Sequence, residues 1–321
     1  MGKIACLFPG QGSQSVGMSA ELFNEFEEAR QLFQTVDKLA GRSLSRLCFE
    51  GPEDELKRTV NTQPTILSVS LAAWKCYQSL GGPQPDFVAG HSLGEISALV
   101  AANVLTVEEA VRLVERRAHL MEECPKGAMS AVLGVPANIL EQCCADAHVE
   151  LKESGAKDIE AVVIVANFNT RDQLVISGNP AAVVKAGEKA KAAGGKVIPL
   201  PVGGAFHSPL MAAASIEFGK EIEQAQFKDA TCSVVQNFDA KPSRDASQIK
   251  AKLSRQMESP VHWCASIEYM LSQGVDTFIE IGPGKVLVGT VKKIDRSAKM
   301  FNVSDPENLK ATIQELGHAL V

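Results

Sequence analysis

Short apolar runs alternate with longer stretches of helical periodicity along most of this sequence. In the outer parts of the chain, apolar runs of strand length occur at residues 3–8, 86–89 and 277–281. Apolar residues spaced three and four apart predict helices at residues 19–39, 65–80, 95–104 and 106–123. Strands that alternate with helices in this way favour an α/β fold with a mostly parallel sheet.

The middle of the chain has a different order of elements. Strands are predicted at residues 128–134, 161–166, 173–177 and 196–202, and helices at 137–147 and 180–193, with residues 167–170 as the loop between the second and third strands. This β-α-β-β-α-β order is that of the ferredoxin-like arrangement. We therefore predict a small subdomain over residues 127–199, inserted into a large α/β domain formed by residues 1–126 and 200–321.

Composition narrows the class of protein. The 321 residues carry a formal net charge of −6 and are 45% hydrophobic, so we expect a large folded core. The acidic balance argues against a nucleic-acid binder, which usually has a basic excess. No apolar run is long enough to cross a bilayer, and the eight cysteines form no C-x-x-C pair and no zinc-finger spacing. We expect a cytoplasmic protein with reduced thiols, with no nucleic-acid or membrane partner and no metal site.

A G-x-S-x-G motif follows the predicted strand at 86–89 and precedes the predicted helix at 95–104, in the sequence Gly90-His91-Ser92-Leu93-Gly94. In this context the motif is typical of a nucleophile on a sharp strand-to-helix turn. The turn would present Ser92 at a helix N-terminus, where backbone N–H groups stabilise developing negative charge. We expect the N–H of Leu93 to be an oxyanion donor. The alternative is a structural turn without chemistry.

A serine hydroxyl needs a base to become a nucleophile, and the sequence offers six histidines. His207 is the best candidate, because it follows a predicted strand in a glycine-rich loop, where reactive groups gather in α/β sheets. His91 is next to Ser92, but neighbouring residues on a tight turn point apart, so we expect it to pack or hydrogen-bond beneath the turn. The remaining histidines lie in ordinary amphipathic or half-buried patterns: His119, His148, His262 and His318.

Arg117 lies on the edge of the apolar face of the predicted helix at 106–123, one turn from Leu113 and Leu120. A guanidinium at such a position must reach solvent, pair inside the protein or point into a cavity. In a dry pocket it binds a carboxylate through two parallel hydrogen bonds. The sequence leaves two interpretations equally open: a buried ion pair with a protein carboxylate, or a site for a substrate with a free acid group.

The glycine-rich loop after the first strand contains Gly10-Gln11-Gly12. A dinucleotide fingerprint would require glycine at position 15, which is Ser15 here. The loop instead places Gln11 at the same end of the sheet as Ser92. We therefore consider Gln11 as a second oxyanion donor.

Five segments, in this order, resemble the malonyl-CoA:acyl carrier protein transacylases, the stand-alone loading enzymes of fatty acid synthesis. They are FPGQGSQ at 8–14, GHSLGE at 90–95, Arg117, GGAFHSPLM at 203–211 and IGPGKVL at 281–287. The resemblance covers nearly the whole chain. It implies an α/β-hydrolase-like core with an inserted ferredoxin-like subdomain, which agrees with the mostly parallel sheet and the β-α-β-β-α-β order predicted above.

The resemblance also implies a ping-pong transfer of malonyl from malonyl-CoA to the phosphopantetheine thiol of acyl carrier protein. Ser92 would be the nucleophile and His207 the base, Arg117 would bind the malonyl carboxylate, and the amides of Gln11 and Leu93 would form the oxyanion hole. By the same resemblance, the backbone carbonyl of Gln256 would orient the histidine, and Asn167, Asn169 and Phe206 would lie near the site. Together with His91, four residues are therefore candidates for lining the site: His91, Asn167, Asn169 and Phe206. The first of these is the histidine beside Ser92, and the last resembles the malonyl-selecting form of its segment.

No permanently bound cofactor is implied, since both substrates come and go. An acidic carrier protein requires a local basic patch on this acidic chain, and Lys285, Lys292 and Lys293 are the candidates. The alternatives are a polyketide-pathway acyltransferase for malonyl or a related acyl group, a serine hydrolase such as a thioesterase, and a non-catalytic carrier-binding module.

Overall fold

A computed structural model describes residues 2–317, and the strands within them form two separate sheets. In chain order the strands are β1 (Lys3–Phe8), β2 (Phe87–Gly90), β3 (Ala128–Leu133), β4 (Val163–Thr170), β5 (Gln173–Gly178), β6 (Lys196–Pro199), β7 (Ser233–Val235), β8 (Pro242–Ser243), β9 (Val275–Ile281) and β10 (Lys299–Val303). The strands β3 to β6 build one sheet, and the other six build the second.

Helices separate most of these strands. They are α1 (Ala20–Glu25), α2 (Glu27–Ala40), α3 (Leu44–Glu50), α4 (Glu53–Lys57), α5 (Thr59–Ser79), α6 (Gly94–Ala101), α7 (Val107–Glu122), α8 (Ala137–Glu153), α9 (Pro180–Ala192), α10 (Ala212–Gln224), α11 (Ala246–Arg255), α12 (Trp263–Ser272), α13 (Val286–Ile294) and α14 (Pro306–Glu315). None of these helices combines the length and the apolar character that spanning a lipid bilayer demands.

The six-stranded sheet has the order β10-β9-β1-β2-β7-β8, and every neighbouring pair except β7–β8 is parallel. The predicted mostly parallel α/β fold is therefore confirmed. Successive residues of β1 face opposite helical layers, since Cys6 and Phe8 pack into one core with Trp74, and Leu7 packs into the other with Trp263. Burial on both faces explains why these strands are continuous apolar runs.

The four-stranded sheet has the order β4-β5-β3-β6 and is antiparallel throughout. Together with α8 and α9 it forms the inserted segment, residues 128–199. Along the chain, this segment lies after β2 and before β7, two strands that are neighbours in the larger sheet. The segment has a core of its own, in which Leu140 of α8 and Ala186 of α9 pack against Ile176 of β5.

The predicted loop at 167–170 is wrong, because β4 continues through it to Thr170 and the turn falls after it. Asparagines favour turns, which explains the prediction. Tertiary pairing overrides that preference: the Phe168 N–H donates to the Val261 carbonyl at 2.9 Å, and the Val261 N–H donates to the Ala166 carbonyl at 2.8 Å. These bonds join β4 to the segment before α12, and they place Asn167 and Asn169 on a strand.

Several predicted boundaries also differ. The helical pattern at 19–39 is two helices, because Phe26 has an extended backbone (φ −109°, ψ 129°) between α1 and α2. The helix predicted from residue 65 begins at Thr59 and contains Pro64. The helix predicted to end at 147 continues to Glu153, and the strand predicted to end at 202 stops at Pro199. Such differences are common at element ends, where local preference is weak.

Candidate active site

Ser92 lies on the sharp turn between β2 and α6 and has a left-handed backbone conformation, with φ of 52°. Non-glycine residues rarely adopt this conformation. The turn is tight enough that a Cβ on Gly90 would lie 1.9 Å from the Gly94 carbonyl carbon, and one on Gly94 would lie 2.0 Å from the Phe8 oxygen. The two motif glycines are therefore required by packing, and the turn lifts Ser92 to the carboxyl edge of the sheet.

His207 meets Ser92 at this edge, although 115 residues separate them: the Ser92 Oγ is 2.7 Å from the His207 Nε2. On the other side of the ring, Nδ1 is 3.0 Å from the Gln256 carbonyl oxygen and 3.2 Å from that of Ser259. Carbonyl oxygens only accept hydrogen bonds. In the neutral imidazole Nδ1 therefore carries the proton, and Nε2 accepts from the serine hydroxyl.

The environment of His207 keeps its ring neutral. The imidazole is almost fully buried, and burial, followed by the charge of Arg117, lowers the pKa of His207 to about 3. A neutral imidazole with a free lone pair on Nε2 is the form that a general base requires. Of the described histidines, His207 is the one whose ring contacts the serine hydroxyl, while His318 lies outside the described residues.

Arg117 lies on α7, whose first turn is capped by Thr106 through a hydrogen bond from the Glu109 N–H at 3.2 Å. The guanidinium is fully buried. Its Nη2 donates to the Ser92 Oγ at 3.1 Å and to the Gln256 Oε1 at 3.0 Å, and its Nη1 donates to the Gln63 Oε1 at 2.8 Å.

All three of these acceptors are uncharged, and Nε is buried with no hydrogen-bond partner among the described residues. Burial lowers the pKa of Arg117 to about 10, so the side chain remains a cation near neutral pH. Of the two interpretations left open by the sequence, the direct ion pair is absent within residues 2–317. A buried cation beside the nucleophile, bonded only to neutral groups, is suited to an anionic ligand.

Gln256 contacts three members of the site. Its backbone carbonyl bonds to His207, and its side chain accepts from Arg117 and donates to the Ser92 carbonyl at 3.0 Å. Only the backbone contact was predicted from the sequence. Gln63, which holds the other terminal nitrogen of Arg117, was not predicted, because its position inside the buried helix α5 gives no local sign of chemistry.

Gln11 and Leu93 lie on the two loops that flank Ser92. Leu93 is the residue before α6, and the loop that holds Gln11 packs directly on the turn, since a Cβ on Gly10 would lie 2.3 Å from the His91 oxygen. Within residues 2–317, neither backbone N–H has an acceptor. Both are therefore available to a ligand oxygen, and their action as oxyanion donors remains a prediction.

The profile of the acyl transferase domain family matches residues 6–306 of this chain. A malonyl CoA-acyl carrier protein transacylase of Bacillus subtilis (strain 168) is 44% identical over 320 residues, covering 98% of each chain. The chain belongs to this transacylase family. A transacylase of the same description from Salmonella typhimurium is 40% identical over 319 residues, covering 98% of this chain and all of the relative. The family predicted from the sequence is confirmed.

Solved structures agree with this membership. An acyl carrier protein S-malonyltransferase from Vibrio cholerae superposes with a TM-score of 0.90 at 40% identity, over 96% of this chain and 99% of the other. A malonyl-transacylase, solved in complex with its type II polyketide acyl-carrier protein, superposes with a TM-score of 0.91 at 38% identity, over 98% and 99% of the two chains. The similarity thus extends across both sheets of this transacylase family member.

His91 points away from Ser92 toward the inserted segment. Its Nε2 is 2.8 Å from the Asn169 Oδ1, and its ring packs edge-on against Trp263 with centroids 5.5 Å apart. Burial lowers the pKa of His91, against the opposing effect of its bond to Asn169. In this family member, His91 therefore joins the nucleophile turn to strand β4 and does not contact the serine hydroxyl.

The remaining predicted residues surround this arrangement. Asn167 is buried on β4 beside Val261, and Phe206 is buried directly before His207. Lys285 precedes α13, and Lys293 on that helix donates to the Gln173 Oε1 of the inserted segment at 2.8 Å. Lys292 lies beside Lys293 near the end of the same helix. The lysines therefore lie at the two ends of one helix, and their use as a carrier-binding patch remains a prediction.

Asn237 and Glu95 support the turn from beneath and were missed by the sequence analysis. The Asn237 side chain contacts the backbone of both Gly90 and Ser92, and Glu95 contacts the backbone of Asn237. Asn237 follows β7, the neighbour of β2 in the sheet. Two polar residues after an apolar strand, Gln236 and Asn237, were the available signal, but nothing in the sequence places β7 next to β2.

Proposed function

We propose that this chain transfers the malonyl group from malonyl-CoA to the phosphopantetheine thiol of acyl carrier protein, through a malonyl ester on Ser92, and thereby supplies fatty acid synthesis. One observation carries the proposal: the buried guanidinium of Arg117 lies 3.1 Å from the hydroxyl of Ser92 and bonds only to neutral groups. A cation at this distance from the nucleophile suits an acyl group with its own carboxylate. Relatives named as malonyl transacylases support the same assignment.

The first half of the reaction forms the acyl-serine. Ser92 attacks the thioester carbonyl of malonyl-CoA while its hydroxyl proton passes to Nε2 of His207. The amides of Gln11 and Leu93 stabilise the resulting oxyanion, and the Gln256 carbonyl holds the imidazolium by its Nδ1–H. The C–S bond then breaks, and the leaving CoA sulfur takes the proton from His207.

The second half runs the same steps with the carrier's thiol. The thiol gives its proton to His207 and attacks the malonyl ester, and the returning proton restores the Ser92 hydroxyl. A transferase differs from a hydrolase in keeping water from the ester until the thiol arrives. Arg117 helps to keep water from the ester, since a malonyl carboxylate bound to it closes the buried side of the cavity. Lys285, which precedes α13, and Lys292 and Lys293 near its end provide the attraction for an acidic carrier.

All the groups in these steps belong to the chain or to its substrates, so the mechanism needs no permanently bound cofactor or metal. Within residues 2–317, no cluster of three histidine, cysteine or acidic side chains could hold a metal ion. His91, Asn167, Asn169 and Phe206 serve as the walls of the acyl cavity. The eight cysteines are free and mostly buried, which supports a reducing, cytoplasmic location.

The finer description of the fold is part of this proposal. Residues 127–199 form a ferredoxin-like subdomain, supported by the β-α-β-β-α-β order and by the antiparallel strand order β4-β5-β3-β6. The second part, assigned from the sequence to residues 1–126 and 200–321 and described by the structure over 2–126 and 200–317, is an α/β-hydrolase-like domain, supported by a nucleophile on a left-handed strand-to-helix turn.

Intact-protein mass spectrometry after mixing with malonyl-CoA, without carrier protein, tests the proposal. We expect a stable mass increase equal to one malonyl group, lost when phosphopantetheinylated carrier is added. The Ser92→Ala variant should show no adduct. Labelling of that variant, or the absence of any adduct on the parent chain, would contradict the mechanism, and the second result would favour a non-catalytic binding module.

Two alternatives have their own tests. Similarity to the malonyl-transacylase of a type II polyketide complex supports a polyketide role, and faster transfer to a polyketide carrier than to a fatty acid carrier would favour it. A thioesterase would release free thiol from malonyl-CoA rapidly without any carrier. We expect that release to be slow, because hydrolysis of the ester competes poorly in a closed cavity.

A further inference from the structure

The nucleophile turn is held by a hydrogen-bond network that the mechanism above does not use. The Asn237 Oδ1 accepts from the Ser92 N–H at 2.7 Å, and its Nδ2 donates to the Gly90 carbonyl at 2.7 Å. The carboxamide is fully buried. If the carboxamide were flipped, its NH₂ group would face the Ser92 N–H and its oxygen would face the Gly90 carbonyl. Only one orientation therefore makes both hydrogen bonds.

A buried carboxylate fixes Asn237 in turn. The Glu95 Oε2 accepts from the Asn237 N–H at 2.8 Å, and its Oε1 accepts from the Gln236 Nε2 at 3.1 Å. Glu95 is 1% exposed and lies in the first turn of α6, the helix that begins just after Ser92. Both carboxylate oxygens thus receive a donor from the segment after β7.

We propose that Asn237 and Glu95 are positioning residues for the acyl transfer: Asn237 clamps the strained turn in its reactive conformation, and Glu95, acting through Asn237, locks the clamp. The inference rests on the proposed function for the substrate, but its geometry concerns only the turn. Neither residue contacts the Ser92 hydroxyl or the His207 ring through any hydrogen bond of the structure.

The clamp matters because Ser92 has a disfavoured positive φ. Strained backbone persists only where the surroundings hold it. The peptide units on either side of His91 are also held by backbone bonds, from the His91 N–H to the Phe8 carbonyl at 3.0 Å and from the Gly94 N–H to the His91 carbonyl at 2.9 Å. Without Asn237, the Gly90 carbonyl and the Ser92 N–H lose their partner, and rotation of the turn toward ordinary conformations becomes easier. Rotation would move the hydroxyl away from His207, which now lies 2.7 Å from it. The clamp also occupies the Ser92 N–H, so the oxyanion donor supplied by this turn is the neighbouring Leu93 N–H, alongside the Gln11 N–H from the first loop.

Glu95 must be an acceptor at both oxygens. The Glu95→Gln variant keeps the size of the side chain but directs an NH₂ group at one of the two donors, Gln236 or Asn237. One bond is then replaced by a repulsive contact in a buried site. Glu280→Gln is the control for loss of a buried charge, since Glu280 is equally buried and its Oε2 accepts from the Val288 N–H at 2.9 Å, at the start of α13. Its Oε1 has no hydrogen-bond partner within residues 2–317, so an NH₂ group there would oppose no donor. Glu280 has no bond to the turn.

The test measures single-turnover acylation over a range of malonyl-CoA concentrations, with rates normalised to the folded fraction from circular dichroism. We expect the maximal rate to fall about 100-fold in Asn237→Ala, since displacement by about 1 Å has this effect on positioned groups. We expect a fall of about tenfold in Glu95→Gln and less than about twofold in Glu280→Gln, with half-saturation unchanged in all three.

A second arm uses a fluorophosphonate, which reacts with an activated serine by forming an O–P bond as fluoride leaves. The same order of losses is expected for labelling of Ser92. If the parent chain forms no malonyl ester, the proposed function fails while this arm still tests the clamp. The inference is overturned if Asn237→Ala reacts within about threefold of the parent rate, or if Glu95→Gln and Glu280→Gln lose equal activity. If Asn237→Ala does not fold, the comparison of Glu95→Gln with Glu280→Gln tests the inference, because Glu95→Gln leaves the Asn237 side chain in place.

Discussion

The two sheets of this protein contribute very unequally to the candidate site. In the six-stranded sheet, β1, β2, β7 and β9 run parallel, and the loops after the first three carry Gln11, Ser92 and Asn237. The inserted segment is antiparallel, so successive strands end at opposite edges. It provides only Asn167 and Asn169, both from its edge strand β4. Parallel strands gather reactive groups because their carboxyl ends meet at one edge.

The contacts between the two sheets show the same inequality. Within the larger sheet, Ser92 is held by His207, Arg117, Gln256 and Asn237. Between the sheets, the turn is reached by one side-chain bond, from His91 to Asn169. We infer that the larger sheet fixes the reaction geometry, whereas the inserted segment forms a wall of the cavity.

The largest expected effect, on the side of the larger sheet, is that of Arg117→Ala. Removing the cation that we propose binds the malonyl carboxylate should lower kcat/KM for malonyl-CoA about 100-fold, since a buried charge-assisted pair is worth a few kcal/mol. The value for acetyl-CoA should be unchanged or higher. Steady-state rates with both substrates measure the change in selectivity. Arg112→Ala is the control, because Arg112 lies on the same helix but pairs with Glu109 and Glu221 at the surface. Unchanged selectivity in Arg117→Ala would make Arg117 a structural residue.

The next effect concerns pH. His207 must be neutral to act as a base, and its pKa of about 3 keeps it neutral far below the ordinary range. The rate at which a fluorophosphonate labels Ser92 should therefore change little between about pH 8 and pH 5. If His207 had an ordinary pKa near 6.5, its neutral fraction, and with it the labelling rate, would fall about 30-fold over this range.

The Arg117→Gln variant separates the causes of that low pKa. Loss of the cation favours the protonated ring, so the pKa of His207 should rise and the acidic loss of labelling should begin at a higher pH. The same pH series measures both proteins. A parent chain that already loses labelling near pH 6.5 would show that the buried environment does not hold His207 neutral.

The smallest effect is expected in the inserted segment. Asn169→Ala removes the bond to His91, which should raise KM for malonyl-CoA about threefold and leave the maximal acylation rate unchanged, because a single hydrogen bond contributes about 1 kcal/mol. Val184→Ala, on an exposed face of α9, should change neither. A large fall in the acylation rate of Asn169→Ala would contradict the division of roles between the two sheets.

Local signals in the sequence account for much of the fold and of the site. Apolar runs and helical patterns predicted β1, β2 and β9 of the larger sheet and all four strands of the inserted segment, but not β7, β8 or β10. The G-x-S-x-G motif in its strand-to-helix context singled out Ser92. The position of Arg117 on the edge of an apolar face identified it as unusual. The prediction of a loop at residues 167–170 was wrong, because the turn preference of asparagine was outweighed by pairing with Val261, almost a hundred residues later in the chain.

The sequence by itself determined which strands and helices flank the nucleophile, which serine lies on the sharp turn, and which family the chain joins. Tertiary structure alone decided that Arg117 is bonded only to neutral groups, that Nδ1 of His207 donates to a carbonyl, and that Asn237 and Glu95 hold the turn. The physical reason is distance along the chain. The bond from Ser92 to Asn237 joins residues 145 positions apart, and such partners are fixed by the order of strands in the sheet, which no local pattern encodes.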